Sequence, residues 1–145
     1  MMQPVMVDPR PFCASKQSWE TRSDVSAFPR LGHEFTQGEL FCRVDGGTDR
    51  QGTMSLRLFI EGTLELTCQR CLGPLAQAVD VDHVLLLARD ATELERLDAE
   101  PGCDAILAEG KLDLLALVED EVLLGLPLAA MHAEGECPAT GRASF

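Results

Sequence analysis

From Met54 to Leu87 the apolar residues keep a period of two, and no other feature constrains the fold of this chain as strongly. Met54, Leu56, Leu58 and Ile60 alternate with Ser55, Arg57, Phe59 and Glu61, and after Gly62 the same phase resumes at Leu64, Leu66 and Cys68. Successive side chains of an extended strand point to opposite faces, so this alternation predicts a long strand with one buried face. The internal Gly62 predicts a bulge or a sharp bend in it. Residues 76–87 repeat the pattern, with Val79, Val81, Leu85 and Leu87 on one side. The stretch between, "CQRCLGP", fits the turn of an antiparallel hairpin whose tip carries Cys68 and Cys71.

The remaining segments supply fewer signals. Phe35 to Val44 reads as a further strand, and "GGTDRQG" (46–52) as the turn-rich connection that makes a hairpin with the next one. Residues 1–34 are interrupted by prolines, with short helical possibilities at Phe12–Trp19 and after a cap at Ser23 or Asp24. "DATELERLDAEPG" (90–102) is an acidic surface segment, a short helix or a loop, and its charge run fits a solvated face. "CDAILAEGK" offers one short strand and a turn.

"LDLLALVEDEVLLGLP" (112–127) is the clearest helix, with Asp113 as N-cap and Gly125 and Pro127 at its end. At about 100° per residue its Leu and Val side chains fall in nearly every sector, so it is buried on several sides or docked on a partner. Glu119 falls between Leu112, Leu123 and Leu126. It is the acid expected to be half-buried, either as a carboxylate bonded to backbone amides or as a partner contact. The fold class expected is α+β: an antiparallel sheet of about four to six strands, a short N-terminal helical region and a C-terminal helix, in one domain spanning 1–145. Neither an internal repeat nor a low-complexity tract is visible.

Cys68 and Cys71 admit three readings: half of a metal site, a redox pair, or a packed turn. "MHAEGEC" supplies His132 and Cys137, and with Cys68 and Cys71 these make a Cys₃His set of the kind zinc takes in structural sites. Four protein ligands leave no open position for water activation, so such a zinc would tie the tail onto the hairpin and would not catalyse. A redox pair is favoured at a helix N-terminus, and Pro74 disfavours helical geometry at Gly73. Cys13, Cys42 and Cys103 stand alone and fit buried small apolar positions. His83 is in phase with Val81 and Leu85, which makes it a core or edge histidine before it is a ligand. No phosphate-cradling glycine loop, nucleophile elbow or His-Glu-x-x-His motif occurs, so no enzyme is expected.

Charge narrows the partners. The chain carries a formal charge of −12, and its surplus is uneven: residues 89–145 hold four basic and thirteen acidic side chains. That is the wrong sign for displacing counterions from a phosphate backbone. With one Trp, six Phe and no Tyr, base-stacking platforms are also scarce. A basic protein is the electrostatic match. The N-terminus shows no secretory pattern, and no window nears the roughly eighteen apolar residues of a membrane span, so a cytoplasmic location is expected.

"LTCQRCLGPL", "LDLLALVEDEVLLGLPLAAMH" and the closing "HAEGEC" resemble the YceD-like family, the large ribosomal RNA subunit accumulation proteins of bacteria and plastids, over residues 53–137. The resemblance implies a non-enzymatic cytoplasmic factor for synthesis, processing or stability of large-subunit (23S) ribosomal RNA. It places a candidate structural zinc motif on Cys68, Cys71, His132 and Cys137, and an acidic, partner-binding helix motif on Asp113, Glu119, Asp120 and Glu121. The sequence stops at Phe145 without the longer basic tail of some relatives, which speaks against direct RNA contact. Charge and resemblance together lead to the expectation that the acidic second half docks a basic ribosomal protein or assembly factor, with the effect on ribosomal RNA indirect. The rival is a thiol-based redox or metal-handling protein using Cys68 and Cys71.

Overall fold

The alternating segments form the centre of a five-stranded sheet. The computed structural model describes residues 3–126 other than 36, 69, 101 and 103, and for Glu34 the backbone only. In chain order the elements are strand β1 (Met6–Val7), helix α1 (Pro9–Ala14), strand β2 (Ser18–Asp24), a 3-10 turn (Val25–Ala27), helix α2 (Leu31–Glu34), strands β3 (Gly38–Thr48), β4 (Met54–Thr67) and β5 (Pro74–Ala88), helix α3 (Ala91–Asp98), strands β6 (Asp104–Leu107) and β7 (Leu112–Asp113), and helix α4 (Leu114–Gly125). The main sheet runs β2-β3-β4-β5-β6, and β1 pairs with β7 in a small ribbon. The architecture is α+β, as the patterning requires.

Period two explains which side chains go inside. Leu56, Leu58, Ile60 and Leu64 of β4 are fully buried, with Leu40, Cys42 and Val44 of β3 and Leu85 and Leu87 of β5 on the same face. Phe12 and Cys13 of α1, Val25, Phe28 and Leu31 of the segment after β2, and Leu114, Leu115, Val118 and Val122 of α4 complete one core. Burial of a Leu or Phe side chain is worth about 1.5–3 kcal/mol, so this one-sided layer is what holds the helices on the sheet. The opposite face stays open and carries Arg43, Phe59, Arg57 and Val84.

Four expectations need correction. β6 lies parallel to β5, with Leu85 opposite Asp104, so the sheet is only mostly antiparallel. The crossover is supplied by α3, whose N-cap Asp90 accepts from the Glu93 N–H. Trp19 belongs to strand β2, not to a helix; Trp19, Thr21 and Ser23 alternate with exposed Ser18, Glu20 and Arg22. β3 begins later than Phe35 and continues to Thr48, because Gly46, Gly47 and Thr48 keep pairing with Leu56, Ser55 and Met54 of β4; Phe12 lies across Gly46, where a Cβ would meet its ring at 2.6 Å. The turn proper is then closed by Asp49, whose Oδ1 accepts from the N–H groups of Gln51 and Thr53.

Gly62 makes no bulge. It sits in unbroken register between Leu40 and Val79, and a Cβ there would lie 2.1 Å from the Glu39 carbonyl oxygen. The glycine lets β3 and β4 approach closely at mid-strand. Among the described residues, no helix is long and apolar enough to cross a membrane.

Candidate functional site

The β4–β5 turn holds the two cysteines. The Cys68 N–H donates to the Gly73 carbonyl at 2.9 Å and the Leu72 N–H to the Cys68 carbonyl at 2.8 Å, folding the chain back on itself. Leu72 takes up the reversal at φ +61°, a left-handed conformation few branched residues adopt, and its side chain is exposed. Inside the turn, Cys68 is 0 % and Cys71 9 % exposed, and they pack with Leu75 in a small cluster separate from the main core. No disulfide joins them. The Arg70 N–H donates to the Cys68 sulfur at 3.4 Å, an outer contact of the kind that orients a metal-binding cysteine.

Two of the four expected zinc donors are thus brought onto one turn. His132 and Cys137 lie outside the described residues, and among those described no group of three or more His, Cys, Asp and Glu is placed to hold a metal. Cys103 also lies outside. Cys13 and Cys42 are core thiols remote from the turn in the register: burial pushes the Cys42 thiol up to about 12, and burial likewise raises Cys13, whose Sγ donates to the Ser55 carbonyl at 3.4 Å. His83 is half-buried on β5, and its Nε2 lies 2.8 Å from Asp104 Oδ2, linking β5 to the edge strand.

The acidic helix motif divides by position. Asp113 Oδ1 accepts from Leu115 and Ala116 at the start of α4 and from the Val5 N–H at 3.1 Å, so one carboxylate caps the helix and holds β1. Glu119 is 2 % exposed, and its Oε2 accepts from the backbone N–H groups of Arg30 (2.6 Å) and Leu31 (2.9 Å). Helix α2 has no side-chain cap of its own, so Glu119 caps it from a residue eighty-eight positions away. Asp120 is exposed and pairs with Arg30 Nη2 at 2.6 Å; this bond and the nearby Glu119 charge hold the guanidinium pKa above its ordinary value. Glu121 is only partly exposed. Of the four acids, Asp120 is exposed and Glu121 partly so, while Asp113 and Glu119 accept from backbone N–H groups.

The sequence pattern of a protein family described as Large ribosomal RNA subunit accumulation protein YceD matches residues 56–143 of this chain. The chain belongs to the YceD family. Its Haemophilus influenzae member, named Large ribosomal RNA subunit accumulation protein YceD, is 26% identical over 94 residues, which is 65% of this chain and 54% of that protein. The chain therefore spans about half the length of that relative. No solved structure matches the chain at a significant level. The YceD match begins inside β4 and takes in the cysteine turn and all of α4, while β1, β2, β3, α1 and α2 precede it.

Three residues now seen beside the YceD helix motif escaped sequence reasoning: Arg30, Asp98 and Asp104. They stand just before α2, at the end of α3 and at the start of β6, and the packing of these elements beside α4 brings them to one groove.

Proposed function

We propose that this chain is a non-enzymatic cytoplasmic factor that supports synthesis, processing or stability of large-subunit ribosomal RNA, and that it acts through a basic ribosomal protein or assembly factor. The observation that carries the first part is the family match over residues 56–143. The indirect route is supported by charge: thirteen acidic against four basic side chains in residues 89–145 attract a cationic protein and repel phosphate. The open face of the sheet adds support. Its Arg43 is held by Asp45 at 2.9 Å, Arg57 forms a two-point pair with Asp82 at 2.8 and 2.7 Å, and Arg22 meets Glu39 at 3.4 Å while lying over the Phe41 ring. Arginines already engaged by carboxylates have less to offer a phosphate.

Zinc is part of the same proposal. Cys68, Cys71, His132 and Cys137 would hold it as a structural ion, tying the segment after α4 to the hairpin tip. The buried, N–H-facing Cys68 supports this reading. The same burial weighs against the rival thiol-exchange reading, since attack on a sulfur requires access to it.

Co-purification at low and high salt tests the functional reading. A basic large-subunit protein should be retained at low salt and released as salt rises. Tight, specific binding of the purified chain to naked ribosomal RNA at physiological salt refutes the indirect route.

A further inference from the structure

We propose that the groove between α4 and β6 docks a cationic segment bearing leucine-like side chains, contributed by a basic partner protein. This rests on the reading that the chain works through such a protein, and it names the surface. The groove encloses about 530 Å³, with Ile106, Leu117 and Leu123 on its apolar wall. Four carboxylates line it, those of Asp98, Asp104, Asp120 and Glu121, against a single guanidinium, that of Arg30. Arg30 is already bonded to Asp120, and His83 meets Asp104. Asp98 and Glu121 have no ion-pair partner among the described residues. At the groove's lining stands Leu124, 81 % exposed, the most exposed large apolar side chain among those described.

Apolar wall and unbalanced negative charge together select the occupant. A purely cationic chain would leave Leu124 wet, and a purely apolar one would bury carboxylates without partners. Alternating or helically spaced Lys/Arg and Leu-type residues satisfy both. The chain's own residues 127–145 carry Arg142 against Glu134 and Glu136, so they bring no positive surplus. A second copy, at −12, is repelled by the same field. Charge complementarity therefore favours a foreign cationic segment.

The test uses the full chain and two synthetic probe peptides of equal charge, one of Lys and Leu in helical spacing and one with each Leu replaced by Ser. The Lys/Leu peptide should bind at least about tenfold more tightly. Leu124→Ser should remove most of that difference, and the pair Asp98→Lys with Glu121→Lys should weaken binding by at least about tenfold. The pair Glu20→Lys with Asp80→Lys, which changes net charge equally on exposed strand positions elsewhere, should leave the preference intact. Thermal unfolding confirms that each variant is folded. A photo-crosslinker at position 124 should join the Lys/Leu peptide. Crosslinks to residues 127–145 or to a second copy, equal binding of both peptides, or equal loss in both charge pairs overturn the proposal. If the groove variants bind no differently while the chain still captures a basic large-subunit protein, the groove is wrong and the functional reading survives; if the chain captures no such protein at all, that reading fails first.

Discussion

Replacing Glu119 by alanine tests whether a carboxylate deep in the acidic helix serves the fold. The side chain is 2 % exposed and its Oε2 satisfies the N–H groups of Arg30 and Leu31. Leu31 is fully buried, so its N–H has no water to turn to, and an unsatisfied buried donor costs about 1–3 kcal/mol. The Arg30 N–H is only part-buried and adds less. We expect Glu119→Ala to lose about 2–4 kcal/mol, which in a chain of this size lowers Tm by roughly 5–15 °C. Glu119→Gln keeps a carbonyl oxygen in the same place and should lose only about 1 kcal/mol, the charge-assisted part of the bonds. Asp120→Ala breaks an exposed ion pair and should cost at most about 1 kcal/mol. Urea unfolding followed by circular dichroism gives all three values. A loss below about 1 kcal/mol for Glu119→Ala would refute the capping account.

Three further outcomes are expected, two from the packing and one from the proposed zinc. Burial raises the Cys42 thiol to about 12 from an ordinary 9.0, so its neutral form stabilises the fold fully below pH 9 and that contribution drains away as pH climbs toward 12; the chain has no tyrosine to obscure this, and Cys42→Ala should flatten the alkaline decline seen in unfolding free energy against pH. Gly62→Ala drives a Cβ to 2.1 Å from the Glu39 carbonyl and should cost at least about 3 kcal/mol, read from the urea midpoint, whereas a neutral result would mean that β3 and β4 are not so close. Protein purified without chelator should carry zinc that Cys68→Ser and Cys137→Ser each abolish, with looser protection of residues after α4 in hydrogen exchange; metal-free protein of unchanged stability would remove zinc from the account.

Sequence reading reached the elements whose pattern is local. β4 and β5 were legible because their buried positions are Leu, Ile and Val at strict alternation, and α4 because Asp113 and Gly125 bracket it. Glu119 was expected half-buried, as a carboxylate on backbone amides or as a partner contact; it is 2 % exposed and bonded to the Arg30 and Leu31 amides, whose place beside α4 no local pattern reveals. β2 was obscured because its inward positions include Thr21 and Ser23, which carry no hydrophobic contrast. β6 is four residues of "DAIL", enough to suggest a strand but not its direction, which α3 sets by carrying the chain back across the sheet. The groove beside α4 has no sequence signature at all: its acids come from α3, β6 and α4, and its single arginine from the residue before α2.

The most direct test of the central claim is crosslinking in living cells, with zero-length ultraviolet crosslinks to RNA and short chemical crosslinks to protein recovered from the same tagged chain. A basic large-subunit or assembly protein should dominate the chemical crosslinks, in a salt-labile complex, while ultraviolet crosslinks to large-subunit RNA stay at background. Abundant ultraviolet crosslinks at defined positions of that RNA, with no basic protein recovered, would contradict the account.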